Sequence, residues 1–107
     1  MAWKASGNTI SMAEGDFGLA LPGTINGIEF SSGDSVRFTF KDIVDGNTIL
    51  VKEFSNISDN TVYLILTEEE SALFAVGKYV YALDWYQDGV FMCNIIPVGT
   101  FKVVNKA

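Results

Sequence analysis

Seven residues carry the clearest structural signal in this sequence: Ser35-Val36-Arg37-Phe38-Thr39-Phe40-Lys41. Within this segment apolar side chains occupy every second position, and polar or charged side chains lie between them. Successive side chains of a β-strand point to opposite faces of its sheet. The pattern therefore predicts a strand over 35–41, with one face in the core and one in water, as in an antiparallel sheet.

Further strands are predicted on both sides of this segment, between turns rich in glycine, asparagine and aspartate. Asp88-Gly89 predicts a tight hairpin turn, and Pro97 is expected to end the strand that follows it. One or two helical turns are expected over 68–74, where Thr67 and Glu70 have the spacing of a capping box. The other expected strands cover residues 9–13, 17–21, 48–54, 61–66, 77–86, 90–96 and 100–104.

The length of the chain and the spacing of these strands predict one domain. The sequence has 107 residues, which suits a single domain. Short strands at intervals of about ten residues are typical of a β-sandwich. We therefore expect an all-β, immunoglobulin-like antiparallel sandwich of seven or eight strands over residues 9–107. Residues 1–8, which end in the polar run Ser6-Gly7-Asn8, are expected to form a flexible N-terminal arm.

Charge and composition disfavour several classes of partner. The net charge is −6, and the seven basic residues are scattered along the sequence, so neither nucleic acid nor a membrane is an expected partner. No run approaches about 18 apolar residues, and the N-terminus lacks the pattern of a secretory signal. With one cysteine an intrachain disulfide is impossible, which favours assembly in a reducing cytoplasm.

Histidine is absent, which removes the commonest general base and metal ligand. The sequence therefore predicts a protein that is not an enzyme, with no catalytic residue, no cofactor and no metal site. Cys93, in an apolar strand, is expected to be a buried packing residue. A small hydrolase using the carboxylate of Glu14 or Asp34 is the third-ranked hypothesis for function.

Two groups of acidic residues are best explained as turns. Glu14 and Asp16 flank a glycine, which favours turn chemistry over the paired carboxylates of a glycosidase. The residues Asp42, Asp45 and Asn47 surround Gly46, but they lack the alternating spacing of a calcium-binding loop.

Aromatic residues are concentrated in the predicted hairpin of residues 77–96. Trp85 is expected in the core and Tyr86, on the opposite side of the pleat, is expected to be exposed. Trp3 either docks on its own domain or anchors a neighbouring molecule, because tryptophan is enriched at interface hot spots. The predicted interaction surface therefore consists of Trp3, Tyr86 and Phe91.

Two longer stretches resemble a known family. The first is Ile10-Ser11-Met12-Ala13-Glu14-Gly15-Asp16-Phe17-Gly18-Leu19-Ala20-Leu21. The second is Gly33-Asp34-Ser35-Val36-Arg37-Phe38-Thr39-Phe40-Lys41, followed by Gly77-Lys78-Tyr79-Val80-Tyr81 and by Pro97-Val98-Gly99-Thr100-Phe101-Lys102-Val103. This succession resembles the N-terminal domains of phage baseplate upper proteins, which are small immunoglobulin-like domains of phage and prophage tails and baseplates.

The resemblance covers roughly residues 10–104, and it implies a structural or assembly module of a virion. Its expected partners are other phage tail and baseplate proteins, and a homo-oligomer is a further expectation. The alternative is a carbohydrate-binding module that reads a glycan with exposed aromatic residues. The segment Gly77–Tyr81 is also similar to the tyrosine corner of immunoglobulin domains, in which Tyr79 would bond to upstream backbone.

Overall fold

The computed structural model describes residues 4–6, 9–18, 21–25, 30, 33–43, 46–55, 57 and 60–105. Within these residues the protein is mostly β-structure with very little helix, which confirms the all-β prediction. The strands are β1 (Lys4–Ser6), β2 (Thr9–Ala13), β3 (Leu21–Thr24), β4 (Asp34–Lys41), β5 (Thr48–Ser55), β6 (Thr61–Leu64), β7 (Gly77–Gln87) and β8 (Val90–Val104), and the helix is α1 (Glu68–Ser71).

The strands form two sheets. The larger sheet has six strands in the order β1-β2-β8-β7-β4-β5, and the smaller one pairs β3 with β6. Neighbouring strands are antiparallel except for β2 and β8, which run parallel. Strand β1 lies within the predicted N-terminal arm, so part of that arm belongs to the sheet. The rest of the arm, residues 1–3 and 7–8, lies outside the described residues.

The alternation in β4 positions the core as predicted. Val36, Phe38 and Phe40 are buried, while the residues between them are half-buried on the other face. A single buried cluster joins this inner face to residues of the smaller sheet, such as Val62 and Leu64. Aromatic rings of the larger sheet pack against one another and against Phe74, several of them edge-to-face, which is a favourable geometry. The ring of Phe40 lies 5.1–6.1 Å from those of its aromatic neighbours Phe38, Phe74, Tyr81 and Phe101.

The predicted strand over 17–21 is wrong at its start. Gly15 and Gly18 have φ values of 83° and 78°, which an extended strand does not use and which glycine adopts without steric cost. The Gly18 amide donates to the carbonyl of Leu66 at 2.9 Å, so the chain turns here. Strand β3 begins only at Leu21, and residues 19–20 lie outside the described residues.

The predicted break at Pro97 is also wrong, because β8 runs through it. Tyr81 pairs with Gly99 and Leu83 pairs with Ile96, so Pro97 and Val98 lie opposite one residue of β7. This arrangement is a β-bulge, which leaves one residue of the bulged strand outside the regular ladder. Proline lacks an N–H donor and is tolerated in a sheet at such a position.

Two local predictions are confirmed at either end of β7. Asp88 and Gly89 both have positive φ, 49° and 82°, and form the two-residue loop between β7 and β8, as a type I′ hairpin turn requires. At the other end, the hydroxyl of Tyr79 donates to the carbonyl oxygen of Ala75 at 2.8 Å. This is the upstream backbone bond that was expected of Tyr79.

The short helix has the predicted capping box. The Glu70 amide donates to the Thr67 hydroxyl at 3.2 Å, and the Thr67 amide donates to the Glu70 carboxylate at 2.9 Å. The same Glu70 oxygen lies 2.7 Å from Nζ of Lys52, on the inner face of the edge strand β5. Glu70 therefore connects α1 to the larger sheet.

Candidate interaction surface

The larger sheet has a second face, turned away from the core, which we call the outer face. Because side chains alternate along a strand, the residues between the buried ones lie on it. Its described members include Arg37, Thr39 and Lys41 of β4 and Val80, Ala82, Asp84 and Tyr86 of β7.

A group of side chains on this face, the hairpin cluster, consists of Arg37, Tyr86 and Phe91. Tyr86 and Phe91 are directly paired across β7 and β8, and their ring centroids are 5.8 Å apart with the planes at 75°. The guanidinium carbon of Arg37 lies 4.1 Å from the centre of the Tyr86 ring. This distance is within the range of a cation–π interaction.

Glu53 fixes the position of Arg37 in this cluster. Arg37 Nη2 lies 2.9 Å from Glu53 Oε2, across the paired strands β4 and β5. This hydrogen bond raises the pKa of Arg37 above its ordinary value. The guanidinium is therefore cationic throughout the physiological pH range. The cluster is therefore held by contacts among four strands, β4, β5, β7 and β8, rather than by the hairpin alone.

Exposed apolar residues flank Phe91 along β8. Phe91 is 51% exposed, and its neighbours Val90 and Met92 are also exposed. Aromatic residues, methionine and arginine are enriched in protein interfaces. The cluster therefore contains residue types that are common in protein interfaces.

The structure brings together two of the three residues predicted to form the interaction surface. Tyr86 and Phe91 are in contact, whereas Trp3 lies outside the described residues. Strand β1 begins at Lys4, whose partner Ser11 pairs with Lys102. That register position lies at the end of the sheet away from the hairpin turn.

The predicted placement of Trp85 and Tyr86 needs correction, because each is half-buried. Trp85 lies on the inner face and packs edge-on against Phe30, at a centroid distance of 6.2 Å, but it lies near the end of the sheet and keeps some exposure. Tyr86 loses exposure because Arg37 covers one face of its ring. Cys93, expected to be buried, is also half-buried opposite Trp85.

The two carboxylates of the hydrolase hypothesis, Glu14 and Asp34, lie at opposite ends of the larger sheet. Glu14 is exposed beside the end of β8, where its amide donates to Val104 at 2.8 Å. Asp34 is buried and pairs with Gln87 at the opposite end of the sheet. Since β7 spans this distance with 11 residues, the two carboxylates are separated by roughly 30 Å at the usual rise of a strand.

The loop of residues 42–47 has the hydrogen bonds of a turn. Oδ1 of Asp42 accepts from the amides of Ile43 and Asn47 at 2.7 and 2.9 Å. Asp45 lies outside the described residues. Across the described part of the chain, no group of three or more His, Cys, Asp or Glu residues is placed to hold a metal ion.

A shallow pocket of about 110 Å³ opens on the outer face at the bulge of β8. Lys41 is the charged residue among those that line it, and the remaining walls are mainly apolar or small side chains. The lining includes Thr39, Lys41, Val80, Ala82, Pro97 and Val98.

Three lysines occupy neighbouring positions of the sheet at this pocket. The sequence pattern alone does not predict this grouping. Lys78 and Lys102 are directly opposite each other on β7 and β8, and Lys41 pairs with Val80, two residues along β7 from Lys78. We call Lys41, Lys78 and Lys102 the lysine row. The three lysines are far apart in the sequence, so the row cannot be predicted without the strand pairing. Once the pairing is known, the alternation of side chains along each strand places all three on the outer face.

No protein-family model matches this chain, and neither a curated protein nor a solved structure does so. Among the helices of the described residues, none has the length and apolar character needed to cross a membrane.

Proposed function

We propose that this chain is an immunoglobulin-like sandwich domain that acts as a non-enzymatic assembly module. The strand order supports this fold, because β8-β7-β4-β5 follow one another like strands G, F, C and C′ of a variable-type domain, while β3 and β6 correspond to B and E. The hydrogen bond from Tyr79 to Ala75 supports it further, since it has the position of a tyrosine corner.

The observation that carries the proposed function is the hairpin cluster. It presents an exposed phenylalanine beside a tyrosine and an arginine that the sheet holds in place. Little side-chain freedom would be lost when a partner covers these residues, which lowers the cost of association. As in the phage and prophage family that the sequence resembles, the proposed partners are other tail and baseplate proteins.

The geometry of the cluster favours a protein partner over a glycan. A sugar ring stacks on an open aromatic face, and neighbouring platforms work together when they are coplanar. Here the two ring planes meet at 75°, and the guanidinium of Arg37 occupies one face of Tyr86. Carbohydrate binding therefore remains the alternative proposal, with less support from this surface.

The test compares two exposed aromatic residues on different sheets. Phe91→Ser removes the ring of the hairpin cluster, and Tyr63→Ser removes a ring of similar exposure, 57% against 51%, from β6. Tagged wild-type and variant proteins would be used to capture partners from a phage-induced lysate of the source bacterium. The captured proteins would then be identified by mass spectrometry, and the folding of each variant checked by circular dichroism.

We expect the wild-type protein and Tyr63→Ser to recover tail or baseplate proteins in a fixed ratio, and Phe91→Ser to lose them. Equal recovery by both variants would remove the hairpin cluster from the interface. Recovery of cell-wall glycan without virion proteins would favour the carbohydrate-binding alternative. Light scattering after size-exclusion chromatography would show whether the chain also associates with itself.

A further inference from the structure

The lysine row places like charges together on an otherwise acidic protein. Lys78 and Lys102 face each other across β7 and β8, where opposed Cβ atoms are typically about 5 Å apart, and such like-charged pairs destabilise a sheet. Lys41 lies one diagonal step away, on β4. A folded state that retains this repulsion gains from any anion that neutralises it.

The described part of the protein does not supply that anion. Its ion pairs are Arg37 with Glu53 and Lys52 with Glu70, and neither involves the lysine row. Lys78 is exposed, while Lys41 and Lys102 are half-buried on the outer face. Their ammonium groups are therefore accessible to a ligand.

The pocket beside the row adds a requirement for an apolar group. Lys41 lines the pocket together with Val80, Ala82 and Pro97. Its volume is about 110 Å³, so a group that enters it must be small. A ligand that uses both the lysine row and the pocket carries an apolar group close to negative charges.

We propose that the lysine row and the adjoining pocket bind a short acidic segment of a partner protein. Glutamate or aspartate carboxylates of the segment pair with Lys78 and Lys102, and a neighbouring aliphatic side chain enters the pocket beside Lys41. A long polyanion fits less well, because the whole chain carries a net charge of −6 and repels such a molecule beyond this patch. This inference concerns a surface separate from the hairpin cluster.

The test uses the peptide acetyl-Glu-Glu-Leu-Glu-Glu-Leu-amide as the probe and its glutamine counterpart as the control. Binding would be followed by two-dimensional NMR of isotope-labelled full-length protein, with resonances of residues 78–82 and 98–102 as reporters. We expect the acidic peptide to shift these resonances and the glutamine peptide to leave them in place. Raising the salt concentration from about 50 to 500 mM should weaken the binding, because exposed charges are screened.

Charge-removing and charge-keeping variants complete the design. K78Q/K102Q should weaken peptide binding by about fivefold or more, whereas K78R/K102R should retain it. Lys41→Gln is a single substitution that tests the third lysine of the row independently of Lys78 and Lys102. Phe91→Ser should bind the peptide like the wild type, so failure of this proposal is distinguishable from failure of the proposed function.

The variants also separate binding from folding. Because K78Q/K102Q removes a repulsive pair, its thermal midpoint at low salt should rise by about 1–3 °C while its peptide binding falls. Equal shifts with the glutamine peptide, or unchanged binding by K78Q/K102Q, would overturn the proposal. So would tighter binding of a single-stranded oligonucleotide of the same charge.

Discussion

Replacing Glu70 with glutamine should measurably destabilise the fold, because the Glu70 carboxylate joins the helix cap to strand β5. It accepts from the amide of Thr67 at 2.9 Å and from Nζ of Lys52 at 2.7 Å. The side chains of Lys52 and Glu70 are only 17% and 22% exposed. Glutamine keeps an oxygen that can accept from Thr67, so the change mainly removes the charge opposite Lys52.

The expected magnitude follows from this partial burial. Hydrogen bonds to charged groups contribute about 1.5–3 kcal/mol, and residual solvent screening reduces that contribution. We expect Glu70→Gln to lower the free energy of unfolding by about 1–2 kcal/mol at pH 7, and the thermal midpoint by about 5–10 °C. Urea unfolding followed by tryptophan fluorescence measures the difference directly.

The effect should depend on pH in one direction. Burial tends to raise the pKa of Glu70, but the hydrogen bonds from Lys52 and Thr67 outweigh burial and lower it below its ordinary value. The carboxylate therefore stabilises the fold above the unfolded-state pKa of about 4.3. This stabilisation is lost as the pH falls through the lower folded-state pKa, so the wild type and Glu70→Gln should converge in strong acid.

Glu69→Gln is the matched control, because Glu69 is exposed in the same helical turn. It should change the free energy of unfolding by less than about 0.5 kcal/mol. A double-mutant cycle with Lys52→Met isolates the pairwise energy. Equal effects of Glu69→Gln and Glu70→Gln at pH 7, or a Glu70→Gln effect that stays constant from pH 7 to pH 3, would refute the reasoning.

Three further substitutions test other contacts. Tyr79→Phe removes the hydroxyl that donates to Ala75 at 2.8 Å and should cost about 1 kcal/mol in urea unfolding; no loss would contradict a structural role for this bond. Gly46→Ala would place Cβ 2.9 Å from the carbonyl oxygen of Ile43, so we expect a loss of about 1–3 kcal/mol, and an unchanged thermal midpoint would show that the loop relaxes. Lys78→Gln should stabilise the protein by about 0.2–0.5 kcal/mol at low salt, and this gain should shrink in 1 M NaCl. A gain that persists in 1 M NaCl would exclude charge repulsion as its cause.

Local signals in the sequence predicted much of the fold. Alternation identified β4, Asp88-Gly89 identified the hairpin turn, and the spacing of Thr67 and Glu70 identified the helix cap. Each depends on interactions between residues close in sequence, which local patterns can reveal. The sequence pattern wrongly predicts a break in the long strand β8 at Pro97. The bulge that accommodates this proline depends on the pairing of β8 with β7, which a local pattern does not contain.

The candidate surfaces were predictable only in part, for the same reason. Tyr86 and Phe91 are separated by a short turn, so the hairpin prediction already placed them together. Arg37 joins them from β4, and the lysine row combines residues from β4, β7 and β8. Contacts of this kind follow from strand order, which composition and periodicity do not determine.

The parallel pairing of β2 with β8 has a consequence for how the chain folds. Thr9–Ala13 pairs with Thr100–Val104, roughly ninety residues away, so closing this loop costs about 4 kcal/mol of chain entropy beyond a constant term. The β7–β8 hairpin closes over two residues and avoids that cost. We therefore expect the hairpin to form early and β2 to dock late, so that during synthesis β2 lacks its partner on β8 until residues 100–104 have left the ribosome.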